Sequence, residues 1–586
     1  MTRAGNGPRR GSATTFRRSR RRAALAVAGI LTLFSPFTYP TAPDGLLVLR
    51  TAGALAFEGT LVLPPAAPGA ELHPWFFRPA PFGQRGVVSV YQPLSSVWRA
   101  GALLASGALP AGPARGRAAD LLLVLGPVLM TALAVYPLSR LLRYDGLGAR
   151  AAPAAAAGLL LGTFLGPLAG TDFSEPLLVL LLLVAFERSL RSTRARQGAS
   201  SSLFVAGFVG VLANLVKPVA GAALPALALP ALFARDAKER RRRLAAFTAG
   251  ALPAAALFLA GNVIRTGRAL EVGYADQPLG DLVSPLWTLL RITVLPNRGL
   301  LWLAPVAASA LAGIAILLRS RRRRADGLAA LLGFGGFFAV NLAYWAWEGG
   351  MGWAPRYLAP AVALLAPGLA AGARAWPRLT AVLVSSGFLL NLPGYLLDAD
   401  RLYRVASAEA SAPDPLGPFV PLHGDPRAPG RLHPVQRPHY VPSRAGVFLG
   451  PRILTDLLLE GESPATGGAP SGRRKDSLLV RLRLGEPLVR PVSLSGLLFL
   501  DEAVRGDPGD PERSYRWARR ALDWNGPPVD GLAVASYFAL RTGRAGEAAR
   551  FARAGLAIDP KRDDLRRNLA VALSVAGGSA SAAPSP

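Results

Sequence analysis

Residues 295–324 read LPNRGLLWLAPVAASALAGIAILLRSRRRR. From Gly299 to Leu318 no side chain is ionisable, and five of the next six residues are arginine. A helix rises about 1.5 Å per residue, so this run matches the roughly 20 residues that a bilayer core requires. Arginines gathered at one end of a span mark its cytoplasmic side. The stretch therefore reads as a membrane helix that ends in a cytoplasmic loop.

The same alternation continues in both directions. Apolar runs at 22–39, 118–139, 150–169, 174–190, 202–216, 218–234, 244–264, 299–318, 327–346, 355–373 and 378–397 give about eleven expected spans. Eight arginines lie in the first 22 residues, and the loops at 140–150, 191–196, 235–243, 319–324 and 374–378 are also basic. The intervening loops carry Asp44, Glu58, Glu71, Asp172, Glu175, Glu271, Asp276, Asp281 and Glu348. A cytoplasmic N-terminus satisfies every loop, and an odd count puts the C-terminal region outside. The weakest boundary is Leu215-Val216-Lys217-Pro218, where two short spans could be one broken helix. No A-x-A site follows the first run, so it reads as an uncleaved span rather than a signal peptide.

Composition excludes several classes. A net charge of +30 invites a nucleic-acid reading, yet only Lys217, Lys238, Lys475 and Lys561 are lysine. The remaining basic residues are arginines clustered between apolar runs, and no nucleic-acid motif accompanies them. No nucleic-acid partner is expected. With no cysteine, disulfides, thiolate nucleophiles and Cys-ligated zinc are ruled out. The four histidines, at 73, 423, 433 and 439, lack H-x-x-x-H spacing. No metal site and no required cofactor are expected, although outer-face acids could hold a divalent ion.

The expected division is a basic cytoplasmic N-terminus (1–21), a transmembrane domain (22–397) with a large first outer loop (40–117), an irregular outer linker (398–509) and a helical region (510–586). Two amphipathic stretches of the first loop, 44–64 and 91–109, suit helices at a membrane surface. In the tail, RRALDWNGPP (519–528) aligns with RAGLAIDPKR (553–562) at an offset of 34. That is the tetratricopeptide period, and 532–560 reads as helix, Gly turn, helix and Pro stop. So short an array needs something to lean on. It is either a packing cap or a docking surface for a protein partner.

Ionisable residues at the outer ends of spans are the candidate chemistry, because placing them near lipid is costly. They are Asp44; Asp172 and Glu175 in GTDFSEP (170–176); Lys217; Arg298; and Glu348, Arg356 and Tyr357 in WEGGMGWAPRYLAP (347–360). Carboxylates could accept a proton from an acceptor, while lysine and arginine hold phosphate. Simpler roles compete. Trp347 and Trp353 suit an interfacial belt, Arg356 could pair with Glu348, Glu175 could cap a helix, and Asp44-Gly45 fits a turn.

Several of these stretches together, ALEVGYADQP, LPNRGLLWLAPVAASALAGIAILLRSRRRR and YWAWEGGMGWAPRYLAPAVALLA, resemble the bacterial multi-spanning GT-C glycosyltransferases. That superfamily includes relatives of protein O-mannosyltransferases and lipid A aminoarabinose transferases. GTDFSEPLLVLLLLVA and ANLVKPVAGAALPALA look like its segments after the third and fifth spans, so the resemblance covers roughly 22–400. It implies an all-α polytopic fold, a GT-C-like bundle in a bacterial cytoplasmic membrane. The implied reaction transfers a sugar from a polyprenyl-phosphate carrier to a lipid, glycan or protein acceptor on the outer face. On this resemblance Asp44 is the first-loop base, Asp172 and Glu175 assist, and Lys217, Arg298 and Arg356 neutralise the departing phosphate. Glu348 would orient Arg356 or touch the sugar. The family often has Asp-Glu followed by a tyrosine, whereas here Gly45 follows Asp44 and Val48 stands near the tyrosine's place. A non-catalytic scaffold recruiting envelope proteins through the tail, or a lipid-linked glycan transporter, are the alternatives.

Overall fold

The computed structural model describes residues 10–34, 43–64, 77–171, 173–195, 197–234, 236–272, 289–290, 292–294, 298–344, 353–397, 493–505 and 509–580. They are mostly helical. In chain order the helices used below are α1 (Arg10–Phe34), α2 (Pro43–Glu58), α3 (Leu94–Gly107), α4 (Pro113–Tyr144), α5 (Ala151–Leu161), α6 (Leu165–Leu168), α7 (Glu175–Ser192), α8 (Ala199–Leu212), α9 (Leu224–Leu232) and α10 (Ala237–Thr266). They continue as α11 (Leu300–Leu303), α12 (Val306–Arg319), α13 (Arg324–Ala343), α14 (Ala359–Leu364), α15 (Ala366–Ala375) and α16 (Pro377–Leu396). The C-terminal helices are α17 (Leu494–Arg505), α18 (Pro511–Asp523), α19 (Pro528–Arg541), α20 (Ala545–Ile558) and α21 (Asp563–Ala580).

Each expected span falls on a helix or a helix pair, but many are shorter or broken. Among the described residues four helices are long and apolar enough to cross a membrane: α4, α10, α13 and α16. A fifth arises if the pair Arg356–Leu364 and Ala366–Ala375, bent by 58°, counts as one span. Shorter apolar helices occupy Ala151–Leu161, Ala199–Leu215, Pro218–Leu232 and Val306–Arg319. The breaks have local causes. Proline disfavours helical backbone at the residue before it, and Lys217, ahead of Pro218, is extended at φ −151°, ψ 131°.

The chain forms two compact units. The first comprises Met1–Ala42, Val124–Ala260 and Asp276–Leu488. Small residues bring its helices close, as expected where lipid supplies no hydrophobic drive. Gly313 of α12 faces Gly368 and Gly372 of α15, and a Cβ on Gly313 would collide with the Gly368 carbonyl oxygen. The loops expected to be cytoplasmic meet around Asp145. Its carboxylate takes Arg323 Nη1 at 2.5 Å and Arg194 Nη2 at 3.4 Å, and Arg194 also reaches Asp326 at 2.5 Å. Arg374 donates to the Asp145 carbonyl at 3.4 Å.

The second unit comprises Pro43–Leu123, Gly261–Ala275 and Val489–Pro586, all segments whose charge pattern assigned them to the outer side. Three short antiparallel strands, β1 (Val62–Leu63), β2 (Phe77–Pro79) and β3 (Val87–Ser89), pair in the order β1-β3-β2, with Val62 opposite Val88 and Arg78 opposite Val88. Arg265, 2% exposed, donates to the Ser89, Val90 and Tyr91 carbonyls and ties that loop to residues 261–275. The tail helices α17 and α18 pack on α2. Phe57 of α2 meets Phe499, Trp517 and Trp524 edge-to-face at 5.4, 6.1 and 5.6 Å. Glu58 accepts Arg513 Nε and Nη2 and Trp517 Nε1, each at 2.8 Å, and Arg50 pairs with buried Glu502.

Successive helices α18 to α21 then stack on their neighbours. Glu512–Arg544 and Asp530–Arg562 bridge them at the same 32-residue separation. The helical region thus shares one compact unit with the first loop.

Candidate active site

Four of the expected site residues gather in the first unit. Glu175 opens α7, where a carboxylate is favoured by the helix dipole. It is 1% exposed. Lys217 reaches it because the extended backbone before Pro218 separates two 3₁₀ turns, Ala213–Leu215 and Pro218–Ala223. Lys217 Nζ lies 2.5 Å from Glu175 Oε1, with side-chain exposures of 11% and 1%. Arg356 heads a 3₁₀ turn, Arg356–Leu358, and its Nε stands 4.0 Å from the same oxygen.

Aromatic rings frame these charges. The Arg356 guanidinium lies 3.8 Å from the Phe173 ring centroid and 5.1 Å from that of Tyr357. Lys217 Nζ sits 4.8 Å from the Tyr357 ring, which Tyr344 meets edge-on at 5.4 Å. Desolvated cation–π contacts of this kind each contribute about 2 kcal/mol. Glu175 Oε2 is buried and has no hydrogen-bond partner among the described residues. A small cavity lies beside it, lined by Thr131, Leu160, Leu168 and Ala359 among others and sized for about one water molecule.

A strained turn fixes Arg356. Ala354 has φ 67°, an uncommon conformation for a residue with a Cβ. Two contacts hold that turn. Arg298, 1% exposed, donates Nη1 to the Ala354 carbonyl, and Trp353 donates Nε1 to Asn391 Oδ1 at 2.8 Å. Asn391 in turn donates to the Leu303 and Gly387 carbonyls at 2.9 and 2.7 Å. Trp353 is 6% exposed and packs against Gly394 rather than lying in a belt. Arg298 therefore acts on the turn that carries Arg356.

Asp172, Glu348 and Trp347 lie outside the described residues, as does the side chain of Asp44, whose backbone forms the first turn of α2 in the second unit. The Arg356–Glu348 pairing expected from sequence also lies outside them; the described acid nearest Arg356 is Glu175. Sequence reasoning passed over Phe173, Tyr344 and Asn391. Phe173 stands two residues before Glu175, and its ring offers a face for a guanidinium, but nothing local pairs it with Arg356. Asn391 carries no local signal, being an isolated amide in an apolar helix.

No protein-family model matches the chain, and no curated protein matches it in sequence. Among solved structures it is similar to ArnT from Cupriavidus metallidurans bound to undecaprenyl phosphate, at 14% identity and a TM-score of 0.41, with 92% of this chain and 80% of that one covered. It is also similar to the archaeal oligosaccharyltransferase AglB from Archaeoglobus fulgidus in complex with an inhibitory peptide and a dolichol-phosphate. There the identity is 14% and the TM-score 0.37, and the match spans 74% of this chain and 63% of the archaeal one. A further structure of the Archaeoglobus fulgidus oligosaccharyltransferase, with Zn and sulfate, matches at 15% identity and a TM-score of 0.37, covering 73% and 61%. At such scores and identities the likeness carries no functional argument.

Proposed function

We propose that the protein is a membrane glycosyltransferase that moves a sugar from a polyprenyl-phosphate carrier to an acceptor at the outer face of the membrane. The observation that carries this reading is the Glu175–Lys217–Arg356 cluster, in which two cations converge on one buried carboxylate beneath Phe173 and Tyr357. A lone structural ion pair needs one cation, whereas a leaving phosphate needs several charges aimed at the place where its own charge develops. In this reading Lys217 and Arg356 hold the phosphate, Arg298 positions Arg356 through Ala354, and Glu175 aims Lys217. Asp44, on the resemblance, takes the proton from the acceptor hydroxyl as its oxygen attacks the anomeric carbon, while the C–O bond to the carrier phosphate breaks. Asp172 assists, and Glu348 contacts the sugar.

The scaffold reading draws on Gly45 and Val48, which depart from the family's pattern. One assay separates the two. Purified protein is reconstituted with radiolabelled polyprenyl-phosphate sugars, and wild type, Asp44→Asn and Lys217→Met are compared for loss of label from the carrier. Turnover by wild type that both substitutions abolish supports the enzyme and both assignments. If turnover survives Asp44→Asn, the base is another residue. Carrier binding without turnover of any donor overturns the enzyme in favour of the scaffold or transporter.

A further inference from the structure

A second group of cations lies at the opposite, arginine-rich ends of the helices in the first unit. Arg20 of α1 is 9% exposed, and its Nε and Nη1 are buried without a hydrogen-bond partner among the described residues. Its guanidinium rests on the rings of Phe16 and of Tyr136 of α4, at 4.7 and 5.3 Å from their centroids. Arg143 of α4 closes on Phe16 from its own side, at 4.4 Å.

Arg140 also belongs to this end, but the nearby acid is already engaged. Glu187 takes the Tyr144 hydroxyl at 2.6 Å, Arg188 at 3.5 Å and Arg140 at 3.8 Å. Of Arg20, Arg140 and Arg143, Arg140 is the one that pairs with that carboxylate among the described residues, and Arg188 and the Tyr144 hydroxyl share it. Cation–π contacts offset only part of the desolvation of a buried guanidinium, and the unused N–H groups need an acceptor.

The flanks are apolar and open. Leu25 follows Arg21 by one turn of α1 and is 62% exposed, and Leu129 and Leu133, 52% and 51% exposed, lie on α4 within three turns of Arg140. Buried N–H donors at the arginine-rich end of an exposed leucine stripe match a molecule with an anionic head and an apolar tail.

We propose that the junction of α1 and α4 binds the phosphate of an anionic phospholipid, with Arg20 as the buried donor, Arg140 and Arg143 as its rim, and the acyl chains along Leu25, Leu129 and Leu133. The site is independent of the glycosyltransferase reading. Anionic lipid on the cytoplasmic leaflet would supply the ligand. The lipid would also bridge α1 to α4, which meet here through arginine–ring contacts.

Native mass spectrometry of the delipidated full-length protein tests this, with phosphatidylglycerol, phosphatidylcholine or inorganic phosphate as the probe. Wild type should hold phosphatidylglycerol about tenfold more tightly than phosphatidylcholine, the scale of one charge-assisted hydrogen bond. Arg20→Gln should erase that preference. Arg140→Gln, at a side chain 39% exposed, should weaken it and decides the matter if the Arg20 variant does not fold. Arg322→Gln, at an exposed arginine elsewhere, should change nothing. Retained preference in both site variants, or an equal loss in Arg322→Gln, overturns the site in favour of diffuse charge. Displacement of the lipid by equimolar inorganic phosphate overturns the lipid in favour of a soluble anion.

Discussion

Glu175 and Lys217 lie 42 residues apart, and their contact is the kind of feature that charge placement only half reveals. That both sit at ends of apolar helices was legible, because ionisable residues stand out in an apolar chain. That Lys217 reaches Glu175 depends on the backbone break before Pro218, a tertiary outcome. Removing one partner leaves the other charge buried, so Lys217→Met should cost about 3–5 kcal/mol. The double variant Glu175→Gln/Lys217→Met should regain most of that in thermal unfolding. If the pair also serves phosphate, the double variant regains stability without regaining carrier binding. Recovery of both would reduce the pair to a structural role. Asp145 offers a second check, this one in pH. Burial and the Asp326 carboxylate push its carboxyl up to about 7, against Arg194 and Arg323, from an ordinary 3.8. Between those values the folded chain keeps a proton that the unfolded chain has lost, so this group's contribution to stability falls as pH rises through the window. The Tm of wild type relative to Asp145→Asn should therefore drop between pH 5 and pH 8. A constant difference would mean that Asp145 is ionised at pH 5.

Helices were the most legible elements, and their lengths the least. Among the described residues every apolar run is largely helical, yet Pro305 and Gly162 interrupt runs that composition presents as continuous. The partners of α2 were not legible at all, since Glu58 and Arg513 are 455 residues apart and nothing local announces their contact. The need for such a partner was legible, because so short a helical array cannot bury its own faces. Trp517, 1% exposed, stacks among Phe57 and Phe499 and donates to Glu58. Trp517→Ala should cost about 3–5 kcal/mol through the cavity it leaves. Because α2 shares that core, hydrogen exchange should accelerate in 43–58 and 511–523 together. Faster exchange in the tail alone would make the helical region a separate module.

At the scale of the whole molecule, the charge pattern sorts the loops into a basic and an acidic set. The basic loops meet through Asp145, Arg194, Arg323 and Arg374 in the first unit, while the acidic first loop, residues 261–275 and the C-terminal helices form the second. A chain without cysteine allows a direct test of which set faces which compartment. Ser201 and Ser574 are exposed, the first near the basic loop at 191–196 and the second in the last helix. Single substitutions Ser201→Cys and Ser574→Cys, labelled in intact cells with a membrane-impermeant maleimide, should react only at Cys on the outer side. The expected result is labelling of the Ser574→Cys chain in intact cells, and of the Ser201→Cys chain only after permeabilisation. The reverse would invert the orientation and, with it, place the Glu175–Lys217–Arg356 cluster at the cytoplasmic face. Labelling of both in intact cells would break the odd span count, because the two residues would then share a compartment.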